Sequence, residues 1–300
     1  MSTKNKKSKP FIVLIAFTLL AVILYFMFRD SWRDILEQIK QAKKSYLLLL
    51  LLFGNCYVIM DGVIYWFILK RSGETCSLLE SIRMAYLGIF LGISTMGTGT
   101  KPGQIYYLYQ RGCDPGKSFG LLTYSYVIHK LVIILYAGFM LLFYHSFIQD
   151  IYAEGTSYLY AGAIFGGVII CVLILMCVSE HFHRLILFPF KKWIKKPAWR
   201  EKIAYFEEQL IDLRTVCHAI FRDKWSVLLP VLFMAVKLTF WYVLPVIVCY
   251  ALNLPALPCS FWEMLTTAAV MQLIIGVIPS ASGLGSTEIV FLLLFGQILG

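Results

Sequence analysis

The chain has 300 residues, 59% hydrophobic and 15% charged, with a mean hydropathy of +0.75 and a formal net charge of +10. Soluble domains run at roughly 45–50% apolar and about 25% charged residues, so a soluble globular fold is excluded. What remains is an all-α, polytopic membrane helix bundle, in which spans of about 20 apolar residues cross a hydrocarbon core of about 30 Å.

At the N-terminus Lys4, Lys6, Lys7 and Lys9 precede the apolar run Phe11–Phe28. A signal peptide has that order. The run is long for its apolar region, however, and charged Arg29, Asp30 and Arg33 stand where small residues would mark cleavage, which favours an uncleaved first span. Arg29–Lys44 then holds five basic residues, partly offset by Asp30, Asp34 and Glu37. Trp32, Ile35, Leu36 and Ile39 recur at helical spacing, as in a helix lying in the membrane interface.

Tyr46–Leu69 reads as a full span, with Asp61 inside it. Ile82–Leu108 is also apolar but is broken by "STMGTGTKPGQ", Ser94–Gln104. Two further spans follow, Phe119–Tyr144, which carries His129 and Lys130, and Ser157–Val178, whose "AGAIFGG" glycines suit close helix packing. Ser179–Ser226 has ten Lys/Arg, including Lys191, Lys192, Lys195 and Lys196. Within it, residues 200–222 place Ile203, Phe206, Leu210, Leu213, Val216 and Ile220 on one stripe. That predicts a cytoplasmic amphipathic helix on the anionic inner leaflet, with a partner-protein helix as the other use of the stripe. Val227–Ala251 is a further span, carrying Lys237. Met264–Gly300 is again broken, by "IPSASGLGSTEIV", and reaches Gly300 without a cytoplasmic tail, as if a last span were missing.

The bias of Lys and Arg among the loops sets the topology. The N-terminus and Ser179–Ser226 are cytoplasmic, while Ser146–Thr156 and Asn253–Phe261, which carry no Lys or Arg, are external. Ile82–Leu108 must then enter from the cytoplasm and return there, whereas Met264–Gly300 enters from outside. One transmembrane domain, residues 1–300, is expected, with two opposed re-entrant hairpins related as an inverted repeat. Half-helix N-termini at such breaks present unpaired N–H groups to anions.

The residues at the breaks suit a substrate site. Gly99 and Gly103 allow close backbone approach, Lys101 supplies a positive charge, and Gln104 and Tyr107 follow on the return helix. In the second break Pro279 ends one half-helix, Ser282, Gly283 and Gly285 form the turn, Ser286 is an N-cap candidate and Glu288 falls in the first helical turn. The bland alternative is a surface loop between short spans, with Lys101 and Glu288 merely solvated. Asp61, His129, Lys130 and Lys237 are secondary candidates, because ionisable groups inside spans face a cavity or one another; snorkelling or a structural ion pair is the competing account.

"TKPGQIYYLYQRG" and "IPSASGLGSTEIVFLLL" resemble the two signature stretches of the lysylphosphatidylglycerol synthase transmembrane (flippase-like) family. The matching positions are Lys101, Gly103, Tyr107 and Leu108 in one and Pro279, Gly283, Leu284, Gly285 and Glu288 in the other, and the hydropathy layout is similar over nearly the whole chain. Ala281 and Ser282 depart from a common Pro-Gly, and Gln104 from a common Glu, which puts carboxylate coupling at the first break in doubt. The resemblance implies translocation of a phospholipid, such as aminoacylated phosphatidylglycerol, between leaflets of the plasma membrane, and with it resistance to cationic peptides. The aminoacyltransferase domain of some members has no counterpart here, so no catalytic residues are assigned.

An ion or solute transporter, or a membrane-embedded lipid-modifying enzyme, are the alternatives. The eight cysteines show no metal-ligand spacing, so no metal and no cofactor is expected. The membrane phospholipid and the anionic inner leaflet are the expected partners, with a second copy or a separate lipid-synthesising enzyme as further ones. Nucleic acid is not among them, since the positive loops account for the net charge.

Overall fold

The computed structural model describes residues 32–151 except 96, 223–254 except 253, 259–276 and 286–299, with parts of 164–193 and 207–218. The expected first span Phe11–Phe28 lies outside the described residues. Every described element is a helix: α1 Trp32–Gln41, α2 Lys44–Arg71, α3 Leu78–Ser94, α4 Thr100–Tyr109, α5 Pro115–Ile151, α6 Glu180–Trp193, α7 Lys224–Tyr242, α8 Leu244–Ala251, α9 Phe261–Ile275 and α10 Ser286–Leu299. Three stretches among them are long and apolar enough to cross a membrane: Lys44–Arg71, Pro115–Asp150 and Lys224–Ala251. The protein is a multi-pass, all-α membrane bundle.

The run Val227–Ala251 is not one helix. Val243 caps α7, and Pro245, which lacks an amide hydrogen, sits at the start of α8, where that donor would be unpaired anyway. Together α7 and α8 cover 28 residues, as does α2. They lie antiparallel to α2 from end to end: Arg71 pairs with Asp223 at 2.9 Å, the rings of Phe67 and Phe233 meet edge-on, Tyr46 stacks on Tyr250, and the Lys43 N–H donates to the Ala251 carbonyl. Helix α5 runs parallel to α7, with the Tyr124 hydroxyl donating to the Ser226 carbonyl and Tyr136 bonded to Thr239.

Two helix pairs are attached to this core. Helices α3 and α4 form an antiparallel hairpin, because Gly88 faces Gln104, Gly92 faces Thr100 and Gly103 faces Leu91. Glu80 and Arg111 close its base at 3.0 Å. The second pair is α9 and α10. Each pair opens on the same capping box: Ser77 with Glu80 for α3, and Ser260 with Glu263 for α9, each side chain bonding the other's backbone N–H. The first box follows Arg71 and the second follows Ala251, which are opposite ends of the antiparallel core. The two helix pairs therefore begin at opposite ends of the core.

Of the stripe in 200–222 only Leu210 and Leu213 are among the described residues; both are buried inside the protein, and Leu213 joins the main core. Ser157–Val178 is described only in part, and its described residues from Ile164 to Met176 are helical.

Candidate functional site

The tip of the α3–α4 hairpin satisfies its own backbone. The Gly97 N–H donates to the Gly92 carbonyl at 2.7 Å, with Gly97 at φ +86°, and the Thr95 hydroxyl accepts the Gly99 N–H at 2.6 Å while donating to the Leu91 carbonyl. These bonds pair backbone groups that a helix end would otherwise leave open. Pro102 is the third residue of α4, where the missing N–H breaks no helical bond. A methyl group on Gly103 would lie 2.0 Å from Leu91 Cδ1, and one on Gly88 2.4 Å from Gln104 Nε2. The close approach that these glycines permit is thus of one helix to the other.

Lys101 projects from the first turn of α4 over the Tyr65 ring, 5.7 Å from its centroid, and donates to Gln104 Oε1 at 3.4 Å. Gln104 is buried and donates through Nε2 to the Met84 carbonyl, tying α4 to α3. A carboxylate could not make that donation, which accounts for an amide at this position. Tyr107 lies farther along, under the Arg111 guanidinium at 3.5 Å, toward the hairpin base. There the Ser77 backbone N–H, the Ser77 hydroxyl and Arg111 hold the half-buried Glu80 carboxyl below its ordinary pKa.

Behind Lys101 stands the Asp61–Lys237 pair, 2.7 Å apart, with Lys237 buried and Asp61 one-fifth exposed. Lys237 also lies 4.4 Å from the Tyr57 ring centroid, and Tyr57 packs on Trp241. Lys101 reaches this pair by way of the Tyr65 ring, which stands one turn from Asp61 on α2. His129 lies with its Nδ1 3.2 Å from the Sδ of Met234, a residue about one turn before Lys237 on α7. Lys130 is turned toward the C-terminal end of α9, its Nζ 3.0 Å from where a methyl group on Gly276 would lie.

The structure thus brings Lys101, Gln104, Asp61, His129 and Lys237 into one region, with Lys130 at its margin and Tyr107 apart from it. Glu288 is exposed in the first turn of α10. Pro279, Ser282, Gly283 and Gly285 lie outside the described residues, as does the Ser286 side chain. Sequence reasoning missed Tyr57 and Tyr65, although with Asp61 they recur every four residues on one face of α2. It also missed a repeat, Cys76-Ser77-Leu78-Leu79-Glu80 against Cys259-Ser260-Phe261-Trp262-Glu263, which marks where each helix pair begins. Among the described residues no cluster of His, Cys, Asp and Glu could hold a metal ion.

The family model described as the lysylphosphatidylglycerol synthase TM region matches residues 13–300. No curated protein and no solved structure matches the chain. With that match running over nearly its whole length, the chain belongs to the lysylphosphatidylglycerol synthase transmembrane-region family.

Proposed function

We propose that the protein moves a phospholipid between the leaflets of the cell membrane, drawing the headgroup phosphate to the lysines of the bundle interior. One observation carries this reading: Lys101 lies over the Tyr65 ring, one turn of α2 from Asp61, and the Asp61 carboxylate is already engaged by Lys237. Cations held in a low-dielectric interior need a counter-charge, and a phosphodiester supplies it. A family that handles lipids makes such a ligand the natural one.

In this reading the N-terminus is cytoplasmic, and the two hairpins enter the membrane from opposite faces. Lys101 attracts the phosphate. Glu288, opening the return helix of the second hairpin, either holds a cationic headgroup or exchanges a proton during the inward-to-outward change. Export of a modified, less anionic phosphatidylglycerol would lower surface negative charge and protect against cationic peptides.

The test is reconstitution into vesicles, with flipping of fluorescent phosphatidylglycerol, binding of the same lipid and uptake of small solutes measured on one preparation. Lys101→Ala is expected to weaken binding of anionic lipids generally. Glu288→Gln is expected to spare binding but slow flipping or alter its pH dependence. Solute uptake without flipping would favour a solute transporter, and full activity of both variants at every pH would place the site elsewhere.

A further inference from the structure

Between α7–α8 and the α9–α10 pair lies a cavity of about 260 Å³, lined by Trp241, Val248, Met264, Ala268, Met271 and Phe295 among others. None of its lining residues is charged. The corresponding place in the first half is closed. There Gly62 of α2 lets Ile82 of α3 come so near that an added methyl group would lie 2.6 Å from the Ile82 Cα.

Its position gives it chemistry. Trp241 forms part of the wall and also packs on Tyr57, the ring over which Lys237 sits. Moving outward from the lysines, a ligand would meet cation, then aromatic, then a wholly apolar slot, which is the order of phosphate, glycerol and hydrocarbon in a phospholipid. The volume is below the roughly 300–1,000 Å³ of sites that enclose a drug-sized ligand, so it suits part of one chain and not a whole lipid.

We propose that this cavity is an acyl-chain slot, holding one tail of the phospholipid whose headgroup lies at the Lys101–Lys237 cluster. The proposal rests on the headgroup reading above. It further predicts that the tail is held against α9 and α10.

The experiment uses the full chain in vesicles of phosphatidylethanolamine and phosphatidylglycerol, the latter carrying a photoactivatable diazirine near the end of one acyl chain. Crosslinks, mapped by mass spectrometry, are expected at Met264, Met271 or Phe295. Ala268→Leu, which fills the slot, should reduce them about tenfold, equivalent to about 1.4 kcal/mol of lost affinity. Leu292→Phe, on the exposed side of α10, should leave them unchanged. Size-exclusion profile and melting temperature check that both variants fold, and Ala268→Val serves if Ala268→Leu does not.

Crosslinks confined to outward residues such as Leu142 or Leu228, insensitivity to filling, or crosslinks from this cavity to a second protein copy would each overturn the slot. Failure of the translocation reading looks different: the cavity would crosslink as expected while vesicles show no flipping.

Discussion

Asp61 and Lys237 form the most consequential pair in the molecule. Removing one partner of a buried ion pair strands the other charge at a cost of about 3–5 kcal/mol, whereas replacing both by apolar groups of similar volume is often neutral or favourable. Asp61 keeps one-fifth of its side chain exposed, so the lower end of that range applies. Asp61→Asn should lower the melting temperature in detergent well below that of Asp61→Leu combined with Lys237→Met. A double variant that is stable but no longer binds anionic lipid assigns the pair to function, and one that retains binding makes it purely structural. Asp61, Lys130 and Lys237 were legible in the sequence because ionisable groups inside apolar runs are rare. Tyr57 and Tyr65 were not, since aromatic residues are common there and only their spacing about Asp61 sets them apart. For Gln104 the sequence marked the position, while its role in joining α3 to α4 depends on a carbonyl 20 residues away.

At the scale of elements, the first hairpin is held by glycines with unequal tolerance. Gly62→Ala places a methyl group against backbone atoms of Ile82, which cannot rotate away, so a loss of about 1–3 kcal/mol is expected from overpacking. Gly54→Ala, on the same helix with nothing within 4 Å, should be neutral or slightly stabilising, because alanine is the better helix former. Thermal unfolding of the two variants side by side checks this, and equal effects would mean that α3 does not bear on α2. The break in the first apolar region was readable from its glycines and proline. The division of Val227–Ala251 was harder to see: Pro230 lies within α7 and interrupts nothing, whereas Pro245 begins a new helix, and local composition does not separate the two cases. The stripe near residue 210 was readable as a stripe, but its period says nothing about which apolar surface covers it.

Across the whole molecule, loop charges suggested two opposed hairpins, and the antiparallel register of α2 with α7 and α8 sets their starting points at opposite ends. That register depends on contacts between residues 152 to 208 positions apart, which no local pattern reveals. It also fixes a depth. Lys237 is 13 residues from Lys224 and 14 from Ala251, which at about 1.5 Å per residue leaves roughly 20 Å of helix on either side. A headgroup resting at Lys237 has thus traversed about half of the transmembrane electric field. A full crossing is worth about 2.3 kcal/mol per elementary charge per 100 mV, so each half-step is worth about half of that. An interior-negative voltage therefore drives a net-anionic lipid outward and holds back a net-cationic one such as lysylated phosphatidylglycerol. Potassium diffusion potentials imposed on reconstituted vesicles should accelerate the first and slow the second. If neither rate responds, the headgroup does not travel as a bare charge, and a compensating ion or proton crosses the membrane with it.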